Sequence, residues 1–159
     1  MEEYPKRPPR LTTLFSGVKP FYFVTFNTRN RKSVLANDKI YERFLSFCNE
    51  AKEHGVFVGT FVIMPDHIHL YVWINLESCG LKKWIKSLKC FLSVSLDEMN
   101  VKRPHWQEGF FDHILRSSDS YREKSIYMMN NPARAGLCKP PDEWKYKGTM
   151  KDIYWSDYD

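Results

Sequence analysis

Apolar residues follow two rhythms along the chain, one alternating or unbroken and one returning every three or four positions. The run 20-PFYFVTFNT-28 is dense in aromatic and β-branched residues and gives way to the polar stretch 27–31, which predicts a strand with a basic exit. In 38-DKIYERFLSFCNEAKEHG-55, Ile40, Phe44, Phe47, Cys48 and Ala51 fall at helical spacing. This predicts an amphipathic helix with Asp38 as its cap and Gly55 as its stop. Next, 56-VFVGTFVIM-64 and 67-HIHLYVWIN-75 predict two strands, joined into a hairpin by a turn at Pro65-Asp66. Residues 78–100 return to the helical rhythm, with Leu81, Ile85, Leu88, Leu92 and Met99 on one side and Lys82, Lys86, Lys89 and Ser93 on a neighbouring face. After a turn containing Pro104, 109-GFFDHILR-116 predicts a short strand. A last helix follows in 119-DSYREKSIYMMNNPARAGL-137, kinked or ended by Pro132 and stopped at Gly136.

The resulting order is βαββαβ with one further helix. It predicts an α+β, ferredoxin-like fold: an antiparallel sheet, helices on one face, and an added C-terminal helix. A chain of 159 residues suits one domain with a real core. Flanking segments stand apart in composition, a basic proline-rich arm at 1–19 and an acidic aromatic tail at 149–159, so the domain is expected at 20–148. Such a fold hosts RNA binders, metal chaperones and enzymes alike, and composition must narrow the choice. The net charge of +5 favours a polyanionic partner. Cys48, Cys79, Cys90 and Cys138 show no C-x-x-C spacing, which suits a reduced compartment. With no apolar run of about 20 residues and no signal-peptide pattern, a cytoplasmic protein away from membranes is expected.

Chemistry concentrates in 66-DHIH-69. On a strand, side chains at i and i+2 share a face, so His67 and His69 are aimed together and can bind one cation. Asp66 is either a turn former after Pro65 or a partner that orients a ring. In the last helix, Tyr127 and Asn131 are four residues apart and share a face if the helix reaches Asn131. A tyrosine becomes a nucleophile only when something offsets the cost of ionising it, as a cation on an adjacent phosphate would. His113 is open to two readings, a base or extra ligand facing the site, or a structural side chain in a half-buried strand. Lys82, Lys86 and Lys89 are either a solvated helix face or, with Arg29, Arg31, Lys83, Arg116 and Arg134, a phosphate track. Trp84, Trp106 or Tyr121 would then stack on unpaired bases.

The stretch MPDHIHL resembles the His-hydrophobe-His motif of the single-tyrosine transposases of the HUH nuclease superfamily. Farther on, WQEGFFDHILRSSDSYREKSIYMMNNPARAGL resembles the same family's segment running from a Trp through a His and a Tyr to Asn-Pro and Ala-Gly-Leu, above all in the branch associated with repetitive extragenic palindromes. The likeness covers roughly residues 18–148. It implies that His67 and His69 are metal ligands, that Asn131 is a further polar ligand, and that Tyr127 is the nucleophile. It further implies attack on a phosphodiester of single-stranded DNA with hairpin or palindromic structure, leaving a 5′-phosphotyrosine and a free 3′-OH, with Mg2+ or Mn2+ as cofactor. A monomer is expected for this branch, with a homodimer as the alternative. One departure stands out, 143-EWKYKG-148 where the family often has Trp-Pro-Tyr. Two other function classes fit the residues: a module that binds structured DNA or RNA without cutting it, and a metal protein unrelated to nucleic acid.

Overall fold

A computed structural model of the chain describes residues 21–74, 80–115, 118–139 and 143–150, with side chains described from 121 onward in the last helix. The 1–19 arm, Cys79, Arg116 and nearly all of the acidic tail lie outside the described residues. The elements are β1 (Phe21–Asn27), α1 (Asp38–Ala51), β2 (Val56–Ile63), β3 (His67–Ile74), α2 (Leu81–Glu98), β4 (Phe111–Ile114), α3 (Ser118–Arg134) and β5 (Lys147–Thr149). They form one sheet in the order β4-β1-β3-β2-β5, with every neighbouring pair antiparallel. The first four strands give the ferredoxin-like arrangement that the sequence predicts.

The sheet is buried on both sides, which explains the nearly unbroken apolar runs in β2 and β3. On one face, Tyr22, Val24 and Phe26 of β1 and Ile68, Leu70, Val72 and Ile74 of β3 pack under Ile40, Phe44 and Cys48 of α1 and Ile85, Leu88 and Leu92 of α2. Each such side chain contributes about 1.5–3 kcal/mol by leaving water. On the other face, Phe21, Phe23, Tyr71, Trp73 and Val62 meet Met128 of α3. The added helix therefore lies across the sheet from the other two. A bulge in β2, where Val58 pairs with Val72 but Phe61 with Leu70, inserts one residue and keeps Phe61 and Ile63 on the α1/α2 face.

Two local expectations change. Asn37, not Asp38, caps α1: its backbone is extended and its side chain accepts the Ile40 N–H at 3.0 Å. Asp38 instead accepts hydrogen bonds from Lys145 Nζ at 2.6 Å and the Tyr146 hydroxyl at 3.1 Å. The segment 143–148, which departs from the family pattern, leads into the edge strand: Trp144 Nε1 donates to Ile63 O, Ile63 N donates to Tyr146 O, and β5 then pairs with β2. Finally, α3 neither ends nor breaks before Asn131 but continues through Pro132 to Arg134. It closes with Gly136 at φ +74°, where the Leu137 N–H reaches Pro132 O and the Gly136 N–H reaches Ala133 O.

Lys89 acts on the fold. Its ammonium donates to Gln107 O at 3.0 Å and Gly109 O at 2.6 Å, and Trp106 Nε1 donates to Lys89 O and Ser93 Oγ, so α2 holds the loop leading into β4. Burial among these groups lowers the Lys89 pKa from its ordinary value. Lys89→Met is expected to cost about 2 kcal/mol, the usual cost of losing a hydrogen bond to a charged group, read as a lower urea midpoint. An unchanged midpoint would place Lys89 among the freely solvated lysines.

Candidate active site

The two imidazoles open β3, and β1 lies directly beside them. The register pairs Thr25 with His69 and Asn27 with His67, so these four side chains share the α3 face of the sheet. The turn before them is fixed from the β1 side, with Thr28 N–H donating to Asp66 O at 2.9 Å and Leu35 N–H to Pro65 O at 2.9 Å. Left-handed backbone at Asn30 and Arg31 (φ 54° each) turns the Arg31 side chain back, and its Nε donates to Asp66 Oδ2 at 2.9 Å. The basic exit of β1 is thereby folded onto the histidine turn.

Both rings are held at Nδ1 and converge at Nε2. His67 Nδ1 lies 2.7 Å from Asp66 Oδ1 and His69 Nδ1 lies 2.6 Å from Thr25 Oγ1, while the two Nε2 atoms are 3.1 Å apart. Burial pushes the Asp66 carboxyl up, but the hydrogen bonds and charges of His67 and Arg31 outweigh it and hold the group below the usual carboxylate range. As an ionised acceptor it receives the Nδ1–H of His67, which leaves Nε2 with a lone pair. Burial lowers the His67 pKa despite Asp66. For His69, burial and then the charges of His67, Lys124 and Arg31 lower it to about 3. Two neutral rings thus direct lone pairs toward one point, an arrangement that a shared proton or a cation reconciles.

The third component arrives on α3. Tyr121, Ser125, Met128 and Pro132 recur at helical spacing and face the sheet, where the Tyr71 hydroxyl donates to Tyr121 O at 2.9 Å and lies 2.8 Å from Ser125 Oγ. Burial keeps the Tyr71 phenol protonated by raising its pKa well above the ordinary range. With that face committed, Lys124, Tyr127, Asn131 and Arg134 line up along the next one. Asn131 Nδ2 lies 2.9 Å from His69 Nε2, and the Tyr127 ring stands edge-on to His69 with centroids 5.8 Å apart. Tyr127 is 44% exposed, open to a ligand from solvent. The Arg134 guanidinium lies 5.4 Å from the Tyr127 ring centroid, and Lys124 Nζ lies 5.4 Å from that of Phe23.

The structure thus brings His67, His69, Asp66, Tyr127, Asn131, Arg134 and Arg31 together within one chain. It does not bring the others. His113 is exposed on β4 opposite Phe23, on the same sheet face but beyond β1, and no hydrogen bond joins it to either histidine among the described residues. Lys82 and Lys86 are exposed on α2, across the sheet from the imidazoles, and Arg29 is exposed in the turn after β1. Trp84 is in the core, Trp106 is held by its indole N–H, and Tyr121 stacks on Tyr71 at 4.9 Å. The exposed aromatic beside the site is instead Phe111, paired with Thr25 and 44% exposed. Thr25, Asn27 and Phe111 were missed in the sequence. A signal existed for two of them: Thr25 and Asn27 interrupt an apolar strand at i and i+2, matching the spacing of His67 and His69.

A ferredoxin-like sheet with two imidazoles facing a helix-borne tyrosine defines a candidate phosphodiester-processing protein, and comparison with known proteins makes the class firm: the chain is a transposase. It belongs to the family described as "Transposase IS200 like", whose model matches residues 19–129. Among characterised relatives, it is similar to the REP-associated tyrosine transposase of Escherichia coli, 23% identical over 134 residues, covering 83% of this chain and 78% of that protein. It is also similar to a putative REP-associated tyrosine transposase of Haemophilus influenzae, 26% identical over 143 residues with 83% and 81% covered. Its fold is that of a REP-associated tyrosine transposase solved bound to a REP hairpin (TM-score 0.69, 21% identity, 92% of this chain and 82% of that one). A putative transposase from Deinococcus radiodurans is more distant (TM-score 0.50, 19% identity, 78% and 96% covered). No helix among the described residues is long and apolar enough to cross a membrane.

Proposed function

We propose that this transposase cuts and rejoins single-stranded DNA beside hairpins formed by palindromic repeats, with Tyr127 as nucleophile and a divalent cation at His67 and His69. The observation that carries the reading is the approach of Tyr127 to His69, 5.8 Å between ring centroids, in a single chain. Relatives named for repetitive palindromes, and a structural neighbour solved with such a hairpin, support the choice of DNA. Because one chain supplies every group, a monomer is the working unit. The setting we propose is the cytoplasm.

The residues fit a cation. Two Nε2 lone pairs converge, the Asn131 amide can turn its oxygen inward, and the buried Asn27 Oδ1 beside His67 has no hydrogen-bond partner among the described residues. Among the described residues no group of three or more His, Cys, Asp or Glu surrounds the point; a phosphate oxygen and water would complete the shell of a cation held by His67 and His69. Imidazole donors suit Mn2+ better than Mg2+. When bound, the cation withdraws charge from the phosphate. The Tyr127 oxygen attacks phosphorus and gives up its proton to solvent, the bond to the 3′-oxygen breaks, and that oxygen takes up a proton as the free 3′-OH while the 5′-phosphate stays on Tyr127. Asp66, held by Arg31, orients His67, and Arg134 pairs with the phosphate beside Tyr127.

The test is incubation of the full chain with labelled palindromic hairpins carrying single-stranded flanks, with Mn2+. A covalent protein–DNA adduct is expected; salt-dependent binding without an adduct would leave a non-cleaving hairpin binder, and no binding would sink the nucleic-acid reading. Arg134→Gln is expected to weaken binding evenly across flank sequences and to reduce the slope of log affinity against log salt by about 1. An unchanged slope would remove Arg134 from the phosphate path.

A further inference from the structure

Thr25 has no place in the motif that marks the histidines, yet it makes the shortest contact to either of them among the described residues, Oγ1 to His69 Nδ1 at 2.6 Å. A threonine on a strand needs no special explanation, since β-branched residues pack well there. Phe21 and Phe23 precede it on this face of β1, however, and a third apolar side chain would continue their pattern. What breaks the pattern is the register, which sets Thr25 directly opposite His69. Phe23 stacks on the same imidazole at 5.4 Å between centroids and 21° between planes. The ring plane is therefore set by Phe23 and its rotation within that plane by Thr25.

We infer that Thr25 is a positioning residue that keeps the proton of His69 on Nδ1, so that the Nε2 lone pair faces the cation site. An imidazole that binds through Nε2 must carry its proton on Nδ1, and that N–H needs an acceptor when buried. Asp66 meets this need for His67 and Thr25 Oγ1 meets it for His69. Asn131 Nδ2, donating to His69 Nε2, imposes the same sense from the other side. With a hydroxyl rather than a carboxylate as acceptor, His69 is oriented without gaining a negative neighbour, so only one of the two rings carries an acidic partner.

The inference rests on the cation site proposed above, and its test separates the two. Thr25→Val keeps the shape and the strand propensity but removes the acceptor; Thr25→Ser keeps the acceptor. Histidine 15N spectra of the metal-free protein report which ring nitrogen carries the proton, and Mn2+ titration reports affinity. The wild type and Thr25→Ser are expected to show His69 protonated at Nδ1. Thr25→Val is expected to lose that signature and to bind Mn2+ about 10- to 100-fold more weakly. A Thr25→Val protein that retains both the Nδ1–H tautomer and wild-type Mn2+ affinity would overturn the assignment. His69→Ala is the control for the site itself: if it binds Mn2+ like the wild type, the cation reading fails, and the spectra alone then decide the role of Thr25.

Discussion

Tyr127→Phe is expected to form no covalent adduct with hairpin DNA while folding, binding DNA and taking up Mn2+ as the wild type does. The substitution removes one oxygen atom and nothing that holds α3 in place, because the helix is anchored by Met128 in the core and by the Tyr71 hydroxyl on Tyr121 and Ser125. Tyr127 itself is 44% exposed, its aromatic ring would remain edge-on to His69, and its ring contact with Arg134 would be preserved. The effect should therefore fall wholly on the bond-making step. Denaturing gels with a labelled hairpin measure it directly, and an adduct of undiminished yield would mean that another side chain attacks. Tyr71→Phe offers a contrast. It leaves the nucleophile intact but frees α3 at one anchor, so adduct formation should slow without vanishing.

The second large effect is expected from His69→Ala, which should lower the cleavage rate about 1,000-fold and weaken Mn2+ binding in parallel. Losing the Lewis acid removes several kcal/mol of transition-state stabilisation, and each 1.36 kcal/mol is tenfold in rate. His69 also touches much of the site, with Thr25, His67 and Asn131 on its nitrogens and Phe23 and Tyr127 against its ring. Folding should survive, since Ile68, Leu70 and Val72 keep β3 in the core on the other sheet face. Chelation of the wild type with EDTA should reproduce the loss, and Mn2+ should restore it. Cleavage that persists in both the variant and the chelated protein would remove the cation from the chemistry.

His67→Ala should be nearly as severe for metal binding, but it separates a further point. Asp66 would then lose the imidazole N–H and keep Arg31, whose side chain is 53% exposed. The pairing of Arg31 with Asp66 ties the basic exit of β1 to the histidine turn.

Much of this molecule was legible in the chain because local patterns dictate it. The alternation in 67-HIHLYVWIN-75 fixes a strand and sets His67 and His69 on one face, and the helical recurrence of Ile40, Phe44 and Cys48 fixes α1. Tyr127 and Asn131 were legible as a pair once the helix was assumed to persist. What the pattern left open was whether Pro132 would end that helix; α3 continues through it, one turn after Met128 has docked the helix on the sheet. The edge strand β5 was not legible, because three residues with a glycine carry no period and form a strand only against β2. Gly148 sits close against Phe61: a Cβ would stand 3.3 Å from the ring, which would have to give by a few tenths of an ångström.

The lysines show the limit most clearly. Lys82, Lys86 and Lys89 look equivalent in the helical spacing, but the fold sets the first two across the sheet from the histidines and commits the third to two carbonyl oxygens. Sequence by itself determined the strands and helices, the paired imidazoles and the tyrosine one helix later, because side-chain period and backbone propensity act over neighbouring residues. Tertiary structure alone decided that α3 crosses the opposite sheet face, that Thr25 meets His69, and that Tyr127 closes on the histidines some 60 residues away. Those relations depend on strand register and on which face each helix covers, and no local period encodes either.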